Sequence, residues 1–330
     1  MKLLYIGDPE RFHAYTAAMP FFAGMDVTAF SNGVSDEELL RTCPDADAII
    51  CDPVHTLSAD LLSRLPRLKL VHSEGVAFNR FDLETLRARR IYLCNCKGCN
   101  ALPVAEQTIL LILGLLCRVR SSHEAVLSGN QNEVKKAHML SGDLKELWEC
   151  KVGLVGFGDI AKETAKLLHA FGAQVFYYNR TRRSAEEESQ YHVTYLPLDE
   201  LAASCDIVSL HLAVTPETTN IVDEAFLGRM KKTAFLINTA RADLIDNAAL
   251  CRALTDGSIA GVGIDTIAPE PVLLDNPLIN LPPEAEARTL YAPHIGGNTG
   301  ASFRRAFAMM EQNLKAVQNG TVPEHWVNSW

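Results

Sequence analysis

Residues 152–183, VGLVGFGDIAKETAKLLHAFGAQVFYYNRTRR, constrain this chain more than any other stretch. The apolar run Val152 to Val155 reads as a strand and breaks at Gly156-Phe157-Gly158. Beyond the break, Ile160, Ala161, Ala165, Leu168 and Phe171 recur at helical spacing, and Gly172 closes the pattern as a C-terminal glycine. A second apolar strand follows at Val175 to Tyr178. The spacing predicts a βαβ unit whose first turn reads Gly-x-Gly-x-x-Ala, an arrangement that binds dinucleotides. Gly156 permits the tight turn, and Gly158 lets backbone amides approach a pyrophosphate. Asp159 and Ile160 open a helix whose N-terminus carries unpaired N–H groups and the positive end of the dipole. Ala161, in the third glycine position, is small enough for close packing of helix on strand.

The same stretch bears on which dinucleotide binds. Folds that prefer NAD place an acid about 20 residues past the glycines, where it binds the ribose 2′-hydroxyl. Here the neutral Asn179 stands 21 positions past Gly158, followed by Arg180, Thr181, Arg182 and Arg183. A 2′-phosphate meets no repulsion there and up to three cations, so we expect NADP(H) to be preferred, with NAD(H) possible. The alternative is that the arginines form a solvated loop patch.

A chain of 330 residues has room for two domains of ordinary size. Short apolar strands at 2–7, 26–30, 48–51, 68–73 and 91–95 alternate with helical stretches such as 36–42 and 58–63, which implies a parallel sheet. Residues 101–119 read as one long apolar helix, and 120–146 as an arm, a loop or a packing helix. Further strands are expected near 193–196, 206–212, 233–238, 260–265 and 289–292, and a last amphipathic helix over 301–320. The fold class is therefore α/β, with two Rossmann-like or flavodoxin-like parallel-sheet domains and a cleft between them. Residues 1–100 plus 297–330 are expected to form the substrate domain, and 101–296 the dinucleotide domain.

Net charge of -9 argues against non-specific binding to nucleic acid or membrane. Met1-Lys2 runs directly into a short strand rather than a signal sequence, and the apolar run near 109–117 is too short to span a bilayer. Cys94, Cys96 and Cys99 lack the second hook that a zinc site wants, so no metal is expected, and the thiols read as buried and free in a cytoplasmic protein. The last seven residues, 324–330, yield no reading.

Four short segments carry chemistry. Arg241 directly follows a buried strand, where ligands bind in open α/β sheets, and its planar fork suits a carboxylate; a salt bridge to Asp243 or Asp246 is the alternative. Glu270 lies between two prolines that stiffen its backbone, yet an isolated loop acid is by default solvated. His294 follows an apolar strand and precedes glycines; alone, it reads as a structural histidine. Gly75, Val76 and Ala77 form a turn of small residues whose amides suit an anion.

Together these segments resemble the D-2-hydroxy-acid dehydrogenase family, including its glyoxylate and hydroxypyruvate reductases, in family order and over nearly the whole chain. Asn95, Gly98 and Val104-Ala105-Glu106 resemble the segment leading into the family's long interdomain helix. His211-Leu212, with Thr215-Pro216-Glu217-Thr218, is similar to an HLPLTPET-type loop, Ala213 standing where proline is usual. Asn238-Thr239-Ala240-Arg241 is similar to the arginine motif, with Ala242 in place of the usual glycine. Asp265 with Pro269-Glu270-Pro271, and Pro293-His294-Ile295-Gly296, resemble the remaining two.

The resemblance implies that Arg241, Glu270 and His294 are the catalytic trio, and that Asp265 lies on the nicotinamide side of a site to which Thr239 and Ala240 also belong. His294 would donate the proton, Glu270 would favour the imidazolium and fix its ring, and Arg241 with the 75–77 amides would hold the substrate carboxylate. The expected reaction is reduction of a small 2-oxo acid such as glyoxylate or hydroxypyruvate to the D-2-hydroxy acid. The expected assembly is a homodimer through the dinucleotide domain and the arm near 120–148. Ala77 and Asn79 replace the family's usual glycine and aspartate. Lys97 stands where proline or a small residue is common, and is expected to favour an acidic or phosphorylated substrate unless it merely faces solvent. Two other readings remain: a dinucleotide-sensing binding protein of the same fold, and a dehydrogenase for a phosphorylated or inorganic substrate such as 3-phosphoglycerate or phosphite.

Overall fold

The computed structural model describes residues 1–330 and divides into two compact units, Met1–Cys99 with Thr299–Trp330, and Asn100–Asn298. The first unit is built on five parallel strands, β1 Lys2–Ile6, β2 Asp26–Phe30, β3 Ala48–Cys51, β4 Leu70–Ser73 and β5 Tyr92–Cys94, in the order β2-β1-β3-β4-β5. Successive residues of a strand point to opposite faces, and both faces of this sheet are covered. Leu4, Ile6, Ile49, Val71 and Leu93 pack with Leu39, Leu61, Leu62 and Leu86 on one face. Leu3, Tyr5, Ile50 and Leu70 pack on the other with Phe12 and with Phe307, Met310 and Leu314 of the Gly300–Gln318 helix.

The open edge of β5 is covered by the chain's own C-terminus. Val327 N–H donates to Leu93 C=O at 2.8 Å, and Cys94 and Trp326 form an antiparallel bridge. Fully buried Asn328 continues the ladder with its side chain, accepting from Leu93 N–H at 2.7 Å and donating to Ile91 C=O at 2.9 Å. Trp326, Trp330 and Tyr92 cluster over this edge. The tail that carried no signal in the sequence thus closes an edge that would otherwise expose unpaired backbone groups.

The second unit contains β6 Lys151–Val155, β7 Gln174–Tyr178, β8 Thr194–Tyr195, β9 Ile207–Leu210, β10 Phe235–Asn238, β11 Gly261–Ile264 and β12 Thr289–Tyr291. All are parallel, in the order β12-β11-β10-β9-β6-β7-β8. The order reverses direction between β6 and β9, which creates the crevice where ligands bind in doubly wound sheets. Ile109, Leu111, Ile112, Leu115 and Leu116 of the Ala101–Leu116 helix share a core with Val152, Leu154, Ala161, Ala165 and Leu168.

That helix is shorter than expected. It ends at Cys117, where Arg118 adopts the left-handed conformation at φ +51°, and a second helix, Val119–Leu127, leaves at 58° to it. The stretch after it, open in the sequence, contains a further helix, Gln131–Ser141. No single helix is long and apolar enough to cross a membrane.

Candidate active site

The carboxyl edge of the second sheet collects most of the residues singled out in the sequence. Gly156 ends β6 at φ +97°, and a Cβ there would lie 2.6 Å from the carbonyl oxygen of His211, so only glycine fits. Gly158 caps the Asp159–Ala170 helix in an extended conformation with no side-chain acceptor, and the space where its Cβ would project is open. The first-turn amides of this helix are therefore uncapped, whereas Asp8, Asp246 and Thr299 cap their own helices with side-chain oxygens. Ala161 is fully buried against the sheet. An open cradle, free amides and a favourable dipole fit a dinucleotide pyrophosphate.

At the end of β7 the structure sorts the cationic segment into bound and free members. Asn179 Oδ1 accepts from Phe157 N–H at 3.3 Å, and Asn179 Nδ2 donates to Thr181 C=O at 3.2 Å. Arg182 forks onto Glu188, both bonds at 2.8 Å, and Tyr177 donates to the same carboxylate at 2.7 Å. Hydrogen bonds from Arg182 first and Tyr177 second bring the Glu188 carboxyl down to about 2. Arg183 donates to Phe157 C=O at 2.7 Å. Arg180 is exposed and makes no ion pair or side-chain hydrogen bond, as is Thr181 exposed beside it. The expectation of up to three available cations is corrected to one, because two of the three guanidiniums hold the fold.

At the end of β10, Asn238 ties off the turn by accepting from Ala240 N–H at 3.0 Å and donating to Arg241 C=O at 2.8 Å. Buried Thr239 meets Thr108 of the long helix, Oγ1 to Oγ1 at 2.9 Å. Arg241 is exposed; its Nη1 donates to Ala240 C=O at 2.6 Å, and it pairs with neither Asp243 nor Asp246. Asp246 instead caps the Asn247–Thr255 helix.

Glu270 and His294, 24 residues apart, are brought together. His294 Nδ1 lies 2.7 and 2.9 Å from the two Glu270 oxygens, and both side chains stay partly open to solvent. The histidine sits at φ +55°, held by its N–H donating to Asp265 C=O at 2.7 Å and its C=O accepting from Asn298 Nδ2 at 3.2 Å. Asp265 is buried, and its carboxylate accepts from Ile295 N–H at 3.0 Å and Gly296 N–H at 2.9 Å. The Asp265 carboxylate thus fastens the His294 turn to β11.

In the first unit, the 75–77 loop follows β4. Gly75 N–H is taken by Ser73 Oγ at 3.2 Å, and Ser73 Oγ donates to Ala77 C=O at 2.6 Å. Asn95 Nδ2 holds Val76 C=O at 2.7 Å. This leaves the amides of Val76 and Ala77 as the free donors of the loop. Lys97 is exposed and forms no ion pair.

One group escaped the sequence reading. Glu74, immediately before Gly75, is buried and receives a forked pair from Arg11 at 2.9 and 2.5 Å and the Tyr5 hydroxyl at 3.0 Å; Arg11 also reaches Asp52 at 3.0 Å. Burial pushes the Glu74 carboxyl up, against the opposing pull of Arg11. A glutamate directly after a buried strand was the available signal, since a buried acid demands a partner. No group of three or more His, Cys, Asp or Glu side chains converges to hold a metal ion.

Residues 109–296 match the family described as D-isomer specific 2-hydroxyacid dehydrogenase, NAD binding domain. The chain is 35% identical over 294 residues to a glyoxylate reductase of Thermofilum pendens, covering 89% of this chain and 85% of that one. It is 34% identical over 293 residues to a glyoxylate reductase of Aeropyrum pernix, covering 88% and 86%. A D-lactate dehydrogenase from Aquifex aeolicus, solved with NAD and lactic acid, superposes with a TM-score of 0.79 at 28% identity, covering 96% of each chain.

Proposed function

The chain belongs to the D-isomer specific 2-hydroxyacid dehydrogenase family of NAD(P)-dependent oxidoreductases, and from that membership we propose that it reduces a small 2-oxo acid, of the glyoxylate and hydroxypyruvate kind, to the D-2-hydroxy acid with NADPH as preferred donor. The observation that carries this reading is the Glu270–His294 contact. With Nδ1 occupied by the carboxylate, the Nε2 of His294 is left to hold a proton and deliver it to the substrate carbonyl oxygen. Glu270 fixes the ring and compensates the charge of the imidazolium. Reduced nicotinamide, when bound, supplies the hydride.

Arg241 keeps most of its donors free at the edge of the same sheet and is assigned to the substrate carboxylate and the charge that grows on the carbonyl oxygen. In the first unit, the Val76 and Ala77 amides are assigned to the carboxylate as well, and exposed Lys97 to an anionic substituent. Gly156, Gly158 and the uncapped helix are assigned to the pyrophosphate. The preference for NADPH rests on neutral Asn179 and on Arg180, a cation without an internal partner. Two similar relatives bear the name glyoxylate reductase, which supports the substrate class.

We also propose a homodimer. Leu127, Met139 and Leu140 are each at least three-quarters exposed on the arm helices, an apolar face that suits a second copy of the chain. The central test is a panel of 2-oxo acids assayed with NADPH and with NADH. Turnover of glyoxylate or hydroxypyruvate with higher kcat/KM for NADPH is expected. No turnover of any 2-oxo acid would refute the reading, and a preference for NADH would refute its cofactor half.

A further inference from the structure

We propose that Cys96 and Cys99 form a peroxide-sensitive dithiol whose reversible disulfide shifts the 75–77 loop of the first unit. The two residues close one turn. Cys99 N–H donates to Cys96 C=O at 3.1 Å, with Lys97 and Gly98 at the corners. Gly98 sits at φ +81°, the left-handed conformation that a type II turn needs at that corner. Such a turn holds its end Cα atoms within about 7 Å, and a disulfide spans about 4.4–6.8 Å between Cα atoms. All nine cysteines are free.

The two thiols are unequal. Its neighbour Cys96 first, then Ser302 and Arg305, brings the Cys99 thiol down despite its burial. The neighbouring Cys99 and burial push the Cys96 thiol up. Cys99, the one thiol of the pair with any exposure, is the nucleophile and Cys96 the resolving partner. Cys99 is 6% exposed and Cys96 fully buried, on either side of the exposed Lys97 and Gly98 in the turn. An oxidant as small as hydrogen peroxide suits that access. The Cys99 thiolate attacks a peroxide oxygen, the O–O bond breaks, and hydroxide leaves a sulfenic acid on Cys99. Cys96 sulfur then attacks the Cys99 sulfur. The S–O bond breaks, and the hydroxyl departs with the Cys96 proton as water. Two thiols are oxidised to one disulfide, and one peroxide is reduced to two waters. A dithiol reductant reverses the change.

The turn is tied to the loop through three bonds. Cys96 N–H donates to Gly75 C=O at 2.9 Å, its Sγ lies 3.5 Å from Ser73 C=O, and its neighbour Asn95 holds Val76 C=O. Its Sγ also lies 3.8 Å from Ala306 C=O. Drawing that sulfur to about 2.05 Å from Cys99 removes it from both carbonyls and re-aims the Cys96 amide. The effect on substrate rests on the reading that Val76 and Ala77 hold the carboxylate; the disulfide itself does not.

The test uses the full chain treated with hydrogen peroxide, alkylated and digested with trypsin. Cleavage after Lys97 separates peptides 91–97 and 98–118 unless a disulfide joins them. The joined pair is expected, released by dithiothreitol, absent from Cys96→Ser and Cys99→Ser, and retained in Cys94→Ser and Cys117→Ser. In the same wild-type samples, KM for the 2-oxo acid is expected to rise about tenfold, the loss of one charge-assisted bond, while the NADPH dissociation constant holds. No joined peptides in the wild type, or a joined pair that survives in Cys99→Ser, would overturn the dithiol. An unchanged KM with the disulfide formed would overturn its coupling to the loop. If the untreated enzyme turns over no 2-oxo acid, the proposed function fails, and the peptides still decide the disulfide.

Discussion

Arg180→Ala should convert a cofactor preference into near indifference. Asn179 brings no charge, Arg182 is spent on Glu188 and Arg183 on Phe157 C=O, so Arg180 is the one guanidinium of the segment free to meet a 2′-phosphate. A hydrogen bond to a charged group contributes about 1.5–3 kcal/mol. Arg180 is solvent-exposed, and screening favours the lower half of that range. A loss of about 1.5–2 kcal/mol corresponds to roughly a 10- to 30-fold fall in kcat/KM for NADPH, at 1.4 kcal/mol per tenfold. NADH lacks the phosphate and should change by less than about twofold on the same reasoning. The assay is steady-state kinetics with each cofactor at saturating oxo acid, at low and at high salt, where screening should narrow the wild-type gap. Arg182→Ala is the control, and should cost NADPH less than Arg180→Ala. Equal losses for both cofactors, or a larger loss for Arg182→Ala, would refute the assignment of free and bound arginines.

Glu270→Gln removes the carboxylate from His294 Nδ1 and should lower kcat by about 10²-fold or more while leaving the NADPH dissociation constant unchanged, read by turnover and fluorescence titration. Fully buried His72 is pushed by burial down to about 4, with Nδ1 against Ser73 C=O and Nε2 against Asn313 Nδ2, a pairing that only the neutral ring satisfies. Its folded value lies below the ordinary value near 6.5, so its stabilisation is full above pH 6.5 and is lost as pH falls toward 4, about 2 kcal/mol by pH 5. Thermal melts from pH 7 to 5 should show the decline, and His72→Gln should flatten it. Asn328→Ala strands Leu93 N–H and Ile91 C=O and should cost about 2–3 kcal/mol in urea unfolding of the first unit. Leu140→Glu places a charge on the apolar arm face and should yield monomers in sedimentation velocity; an unaltered dimer would place the interface elsewhere.

The twelve strands were legible because most are short, nearly continuous apolar runs, the pattern of a parallel sheet covered on both faces. The helix expected over 36–42 forms as Asp36–Thr42, capped by Ser35 and with an acidic first turn. What misled was the end of the Ala101–Leu116 helix. Apolar residues continue past Leu116, and nothing in residue type marks Arg118 as left-handed; that conformation follows from where the next helix packs. The C-terminal tail was illegible for a related reason. Asn328 acts as a strand residue through its side chain, and no hydrophobic period records that.

The site divides along the same line. Residue type and spacing identify groups able to do chemistry; whether a group is free depends on partners elsewhere in the chain. Arg180, Arg182 and Arg183 are the same amino acid within four positions, yet only the first is unspent. The difference lies in Glu188, one turn into the next helix, and in the carbonyl of Phe157. Asp265 shows the converse. Its motif suggests a ligand contact, and the structure adds a second role: each of its oxygens accepts an amide some thirty residues later, and through them it sets the backbone of His294. A carboxylate that accepts two amides and aims a histidine acts on the reaction by geometry, so Asp265→Asn should disturb the His294–Glu270 contact before it disturbs dinucleotide affinity. Kinetics would show that order as a fall in kcat at unchanged NADPH dissociation constant. A loss of NADPH binding with kcat intact would instead return Asp265 to the role of a direct cofactor contact.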